Sequence, residues 1–524
     1  RVDTLADDTR RVSEGFPPDS RRRGYTALGL AFLMLLQLAM GLGTEPSEDL
    51  GPPTIALETH DTVIEGGNGS WMWSESLGTV AHDWGYKIDT DRFGNVFVGG
   101  VYGGSLTIHG VELPETSQYS IFVLKLDPSG DPLWVQTDDC CEQSGQPAHL
   151  ADMKVDQSGN VFVAGYFNYH IVVDGEIHGS SSYGYEGFVG KIEHSGRWSW
   201  FKTIGGNSND QKAEEVAFAD DGSVYVAGMY ASGVVFDDTL SISSWYSGSS
   251  DLFIAKLDRE GNWEWANRVQ SNGAIYSGGM EASPSGGVVF SGEWRNNNLY
   301  FGSSSVNLTS PWGSAGIFVA KANDSGAWEW AVEGDCSAVD QGKDIAVDSE
   351  GHIYVTGYVA RNPGDSSSCQ MGDLDWRPTH SSSGFLGRLS PEGEWQWVSE
   401  IEGETNQIYG YSVDVSPQME VVISGHYWND HDLTIGDFTF SGLSSGTSME
   451  VFVARANSTG SWLWADTMGG TGYDSTTGVA IDDFGNVMVT GFFDSSVIDI
   501  GSGNLTNVAN YDAFFAKFGV GFDY

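Results

Sequence analysis

The chain has 524 residues, 70 of them glycine, and its 71 acidic against 25 basic residues give a formal net charge of −46. Such a surface repels nucleic acid and anionic lipid headgroups and excludes both as partners. A single hydrophobic core stops growing at roughly 250–300 residues, so a longer chain that forms one domain must stack smaller units.

Near the N-terminal end, Arg21, Arg22 and Arg23 precede an apolar stretch over residues 24–43. A basic flank before an apolar core reads as an export signal, with an uncleaved membrane anchor as the rival. In either case the positive flank stays inside, which places the rest of the chain outside the cytoplasm, secreted or at the cell surface. Residues 1–43 are thus set apart as a cytoplasmic flank plus signal or anchor, and residues 44–68 as a linker. Membrane contact is expected only through the first of these segments.

From residue 69 onward the chain is repetitive. Seven strand-like runs end in the same glycine, at Gly100, Gly165, Gly228, Gly292, Gly357, Gly425 and Gly491, with a period of about 65 residues. A Gly-x-Trp-x-Trp run recurs at Gly196, Gly261, Gly326, Gly393 and Gly460, with a degenerate copy at Gly130 that keeps Trp134. The seventh unit lacks one, and the missing copy stands at the other end as Gly69, Trp71 and Trp73. Units this small must lean on their neighbours to bury their apolar faces. The expected fold is all-β: a seven-bladed β-propeller over residues 69–524, closed by an N-terminal outer strand that completes the C-terminal blade.

Blade 5 shows the plan. Inner strand a covers residues 344–348, strand b 352–358, strand c 384–389 and outer strand d 394–398, with Gly-bearing turns between a and b and between c and d. Most of the 19 tryptophans lie in the strand d motif, where alternation places the two rings on one strand face against adjacent blades. One cation recurs in every strand c (Lys125, Lys191, Lys256, Lys321, Arg388, Arg455 and Lys517), and pairing with a neighbouring carboxylate is expected for each.

The run from Ile345 through Asp348, Gly351 and Gly357 to Tyr358, echoed from Val479 through Asp482, Gly485 and Gly491 to Phe492, closely resembles the SBBP family of bacterial and archaeal β-propeller repeats. A looser similarity, from Lys125 through Asp127 and Gly130 to Trp134, is to PQQ-like propeller repeats. The SBBP resemblance implies an exported or cell-surface scaffold and assigns no catalytic residue. The PQQ-like similarity reflects shared packing and implies no quinone cofactor.

In a four-stranded blade the b–c and d–a connections share one face. The b–c connections are long and variable, and variation on a rigid ring is where binding usually lives. The runs Glu293-Trp294-Arg295 with Asn297, and His426-Tyr427-Trp428 with Asp430 and His431, set aromatic rings beside amides and carboxylates, a composition suited to sugars. Ligand-binding candidates are Trp294, Arg295, Asn297, Trp376, His426, Trp428, Asp430 and His431; the competing reading packs these rings onto the blades. All four cysteines map to the same face, and Cys336 with Cys369, and Cys140 with Cys141, are the disulfide candidates.

No zinc-protease, P-loop or dinucleotide motif occurs, and no cofactor is expected, with calcium the one ion left open. The leading expectation is an exported, non-catalytic, monomeric scaffold that binds an extracellular glycan or protein partner through its b–c connections. The alternatives are a secreted carbohydrate-active enzyme using carboxylates at the propeller centre, or a structural envelope component.

Overall fold

The computed structural model describes residues 69–520 apart from residues 109, 114–115, 139–147, 180–183, 207–209, 245–249, 296–297, 311–314, 363–367, 404–407 and 443–447. The expectations for residues 1–68, Cys140, Cys141 and Asn297 therefore lie outside the described residues.

Seven antiparallel sheets form the blades of a β-propeller, and no helix occurs among the described residues. Blade 1 runs outward through Trp84–Thr90, Val96–Gly104, Thr116–Leu126 and Pro132–Thr137. Blade 5 does so through Gln341–Val347, Ile353–Ala360, Ser382–Leu389 and Trp395–Gly403. In blade 7, strands Asp474–Ile481, Val487–Phe493 and Asp512–Val520 are completed by Gly69–Leu77 from the other end of the chain. The ring closes on a shared apolar layer in which Met488 and Phe515 of blade 7 pack with Val98 and Leu124 of blade 1. Trp71 and Trp73 of the closing strand are both buried.

The repeated glycine has a specific steric origin. Every strand a carries a β-bulge at the same place, for example between Gly85 and Lys87, Gly342 and Asp344, and Gly410 and Ser412. The strand b glycine pairs with the residue just before the bulge, as Gly100 with Gly85, Gly357 with Gly342 and Gly425 with Gly410. A Cβ on Gly100, Gly357 or Gly425 would overlap a strand a carbonyl oxygen, that of Trp84, Gln341 or Tyr409 respectively. The bulge pushes the strand a backbone toward strand b, and only a residue without Cβ admits it.

The outer strands differ from the sequence expectation. A second bulge lies between the two tryptophans of each motif, so that Trp198 and Trp200 oppose the consecutive residues Ile192 and Lys191. The extra residue breaks the alternation and sends the two rings to opposite faces rather than one. The second ring covers the c–d turn of the next blade, where a Cβ on Gly196 would stand 3.0 Å from the Trp134 indole. Its Nε1 donates to a carbonyl of that turn, as from Trp134 to His194 at 3.1 Å and from Trp265 to Asp324 at 2.8 Å. The first ring turns to the preceding blade: Trp71 Nε1 donates to Asp466 Oδ2 at 2.9 Å and Trp395 Nε1 to the Glu333 carbonyl at 3.1 Å.

Five of the strand c cations are buried with a carboxylate partner, whereas Lys191 and Arg388 are half-buried and, among the described residues, rest on rings instead of the expected carboxylate. Lys125 meets Asp91 at 3.4 Å, Lys517 meets Asp482 at 3.4 Å, and Arg455 pairs with Glu420. Lys191 lies over the Phe162 ring at 5.1 Å and Arg388 over Tyr354 at 5.7 Å.

Two substitutions test the steric account. Gly357→Ala is expected to cost about 1–3 kcal/mol of unfolding free energy through overpacking. Gly503→Ala, where no atom lies within 4 Å of an added Cβ, should stay within about 0.5 kcal/mol of the parent. Equal urea midpoints for the two variants would contradict it. For ring closure, Trp71→Ala and Trp73→Ala should each cost about 3–5 kcal/mol, and an unshifted unfolding midpoint would show that the ring closes without these indoles.

Candidate functional site at the channel mouth

The b–c connections prove to be straps. In blades 4, 5 and 6 they fold into hairpins, and their first strands (Asn298–Phe301, Cys369–Met371 and Leu433–Ile435) pair with the outer strand of the preceding blade. Three sheets thereby grow to six strands. Cys336, just after the outer strand of blade 4, is disulfide-bonded to Cys369 in the blade 5 hairpin, with Cα atoms 4.3 Å apart. Much of the face read as variable binding surface is thus engaged in holding neighbouring blades together.

Trp294 corrects that reading most directly. It is fully buried, with Phe318 6.4 Å away and its ring against Gly316, inside the layer between blades 3 and 4. Strand b of blade 4 continues to Arg295, and alternation turns Trp294 into the interblade face. Trp376 is half-buried, 6.4 Å from Phe385, and Trp428 sets its edge on Tyr473 at 5.5 Å. Asp430 and His431 pair with each other at 3.2 Å near the surface. No group of three metal-ligating side chains converges among the described residues.

His426 and Arg295 lead elsewhere, to the mouth of the central channel. His426 is buried, shares a hydrogen bond with Ser475 Oγ at 2.9 Å, and is held by burial at a pKa of about 4, so its ring is neutral at physiological pH. It stands 4.9 Å from Tyr411 and 5.3 Å from Tyr409. Arg295 is exposed, 3.4 Å from Glu293 and over the Tyr276 ring at 5.6 Å.

The strand a bulges build this mouth. The residues they insert are Tyr86, Ala151, Glu214, Gly278, Lys343, Tyr411 and Thr477, one per blade. Around them stand Trp84, stacked 6.4 Å from Tyr86, and Tyr409, stacked 4.7 Å from Tyr358. Lys212 lies over both Tyr166 at 4.6 Å and Tyr185 at 5.0 Å. Ser277 Oγ donates to Glu214 Oε2 at 3.0 Å, and Thr477 Oγ1 to the Gly85 carbonyl at 2.6 Å, so the ring of contacts passes from blade to blade. The sequence reading missed this set by following strict alternation along strand a. The available signal was an aromatic or charged residue directly after glycine, as in Gly85-Tyr86, Gly342-Lys343 and Gly410-Tyr411.

Deeper in the channel, carboxylates join the blades. Asp89, Asp152, Asp344 and Asp414 each accept the backbone N–H of the following blade's strand a, from Val155 at 2.6 Å, Val216 at 2.8 Å, Val413 at 3.0 Å and Ile481 at 2.8 Å. Lys87 pairs with Asp152 at 3.1 Å and Lys154 with Glu281 at 2.6 Å. The partly open cavity between these side chains holds about 40 Å³, far below the roughly 300–1,000 Å³ of ligand pockets. Desolvation raises Asp89 to about 7, with Asp414 adding repulsion and Lys154 opposing it; desolvation likewise raises Asp414 to about 6.

The comparisons fit this architecture. Residues 334–358 match the model of the SBBP β-propeller repeat. This chain carries an SBBP-type repeat. The matched segment runs from the outer strand of blade 4 into strands a and b of blade 5 and so contains both the bulge and Gly357. An uncharacterized WD repeat-containing protein (L264) of Acanthamoeba polyphaga mimivirus is 21% identical over 85% of this chain and 38% of its own length. The regulatory protein FlaEY of Caulobacter vibrioides is 24% identical over 80% of this chain and 44% of its own. The chain thus spans less than half the length of these curated relatives. Among solved structures, a leech intramolecular trans-sialidase aligns with a TM-score of 0.33 at 11% identity, covering 88% of this chain and 70% of that one. A Synechocystis apocarotenoid oxygenase mutant aligns at 0.30 and 12%, covering 63% of each chain.

Raised carboxyl pKa values fix the sign of a pH effect. The folded state holds the Asp89 and Asp414 protons more tightly than the unfolded chain does. Their contribution to stability is full below the ordinary Asp pKa of about 3.9 and is lost as pH rises through about 6 to 7. The unfolding free energy should therefore fall from pH 5 toward pH 8 by up to about 1.4 kcal/mol per pH unit for each proton released, and the melting temperature with it. Asp89→Asn should flatten this slope whatever its effect on absolute stability, and an unaltered pH profile would refute the assignment.

Proposed function

We propose that this protein is an exported, non-catalytic propeller that holds a glycan or protein partner on the face of its b–c connections, at the mouth of the central channel. The observation that carries the reading is the bulge-built ring, which sets Tyr86, Lys343 and Tyr411 half-buried around one opening beside Trp84 and Tyr409. Rigid aromatic rings with polar neighbours supply contact area at small entropic cost. Export is supported by the apolar segment at residues 24–43 after three arginines and by the Cys336–Cys369 disulfide, a bond characteristic of oxidising compartments.

Hydrolysis by channel carboxylates finds less support. Asp89, Asp152, Asp344 and Asp414 already accept backbone N–H groups, and a space of about 40 Å³ has room for a few waters rather than a sugar.

Screening the full chain on a glycan array and against purified surface proteins tests the reading. Tyr409→Ala and Tyr276→Ala should each weaken a hit by about tenfold or more, with the melting temperature changed far less than by Trp71→Ala. A ligand whose affinity ignores both substitutions would move the site away from the mouth.

A further inference from the structure

Lys343 and Glu293 lie within electrostatic reach of each other in the blade 4 to 6 sector of the mouth, and each keeps unused bonding capacity. Lys343 is half-buried and lies over the Tyr411 ring at 5.9 Å; no ion pair joins it among the described residues, although the chain is strongly acidic. Each of five strand c cations, by contrast, has a carboxylate partner. Glu293 is 4% exposed, its Oε1 is 3.4 Å from Arg295 Nη2, and its Oε2 has no hydrogen-bond partner among the described residues. A buried acceptor oxygen without a donor is costly; Arg295 and the Gln341 side chain act on the Glu293 carboxyl, and Glu293 is the one acid that acts on the partly desolvated Lys343 ammonium, without a direct ion pair among the described residues.

Resting on the mouth as the binding face, we propose that this sector takes an acidic sugar: its carboxylate on Lys343, a ring hydroxyl donating to Glu293 Oε2, and its apolar ring face on Tyr409 or Tyr411. One uronate residue supplies all three complements, whereas a neutral sugar leaves Lys343 without a direct ion pair. A free amino acid also carries a carboxylate, and the titration below separates it from the sugar acid; burial raises the Glu293 pKa, with Lys343 and Arg295 opposing the shift. Burial also lowers the Lys343 pKa, a shift that a bound carboxylate would reverse. The overall negative charge does not forbid such a ligand. Beyond about 8 Å it is screened at physiological ionic strength, and inside the mouth the nearby cations are Lys343 and Arg295.

The probe is an oligogalacturonate compared with its methyl ester, which keeps the skeleton and removes the charge. Calorimetric titration of the full chain should show the acid bound at least about tenfold more tightly than the ester. Lys343→Gln should abolish that preference, Lys343→Arg should retain part of it, and Glu293→Gln should weaken both forms. Equal affinity for acid and ester, a preference that survives Lys343→Gln, glutamate binding as strongly as the oligomer, or no binding of either form would each overturn the inference. In those cases the mouth as a binding face still stands or falls on the Tyr409 and Tyr276 variants with whatever ligand the screen returns.

Discussion

The molecule depends on one backbone contact repeated in every blade: a strand a carbonyl pressed against a strand b residue that has no Cβ. This contact lets strand a take an extra residue at a fixed point, and the bulge changes the direction of everything after it. Past the bulge, Asp89, Asp152, Asp344 and Asp414 bond the next blade. At the bulge itself, a side chain such as Tyr86, Lys343 or Tyr411 is delivered to the mouth. Joining of neighbouring blades in the channel and construction of the candidate site thus share a single steric cause.

The outer rim solves the remaining problem, which is to hold sheets together where they diverge. A second bulge divides each tryptophan pair between two neighbours, and the turn glycine of the next blade leaves room for the arriving indole. Seven junctions should also need seven turns, but blade 7 takes its outer strand from the N-terminal side. Trp464 accordingly meets Phe518 at 4.7 Å, and its Nε1 finds no acceptor among the described residues. That junction relies on Trp71, whose indole reaches back to Asp466. In an architecture whose stability is mostly a sum of neighbour contacts, the closing junction governs the cooperativity of the whole.

Charge is distributed by depth. In so acidic a chain the strand c cations are enclosed by carboxylates and rings, and Lys87 and Lys154 balance the channel carboxylates. Lys212 and Lys343 at the mouth lie over aromatic rings, and no ion pair joins either among the described residues. The straps outside the mouth, tied by strand pairing and by the Cys336–Cys369 bond, stiffen the frame that presents it.

The blade count, the strand order and the completion of the last blade by a strand from the N-terminal side were legible in the amino-acid sequence, because a period of glycines and tryptophans is a one-dimensional record of stacked units. The sequence also marked Cys336 and Cys369 as neighbours, since both fall on one face once the blades are laid out. It did not determine which way side chains point. A bulge adds one residue without altering composition, so Trp198 and Trp200 read as sharing a face and Tyr86, Lys343 and Tyr411 stayed hidden within strand a. Trp294 looked exposed because its neighbours Glu293 and Arg295 are polar, yet alternation along an extended strand b buries it. Only the packed ring decided these directions, because burial depends on the neighbouring blade about 65 residues away in sequence.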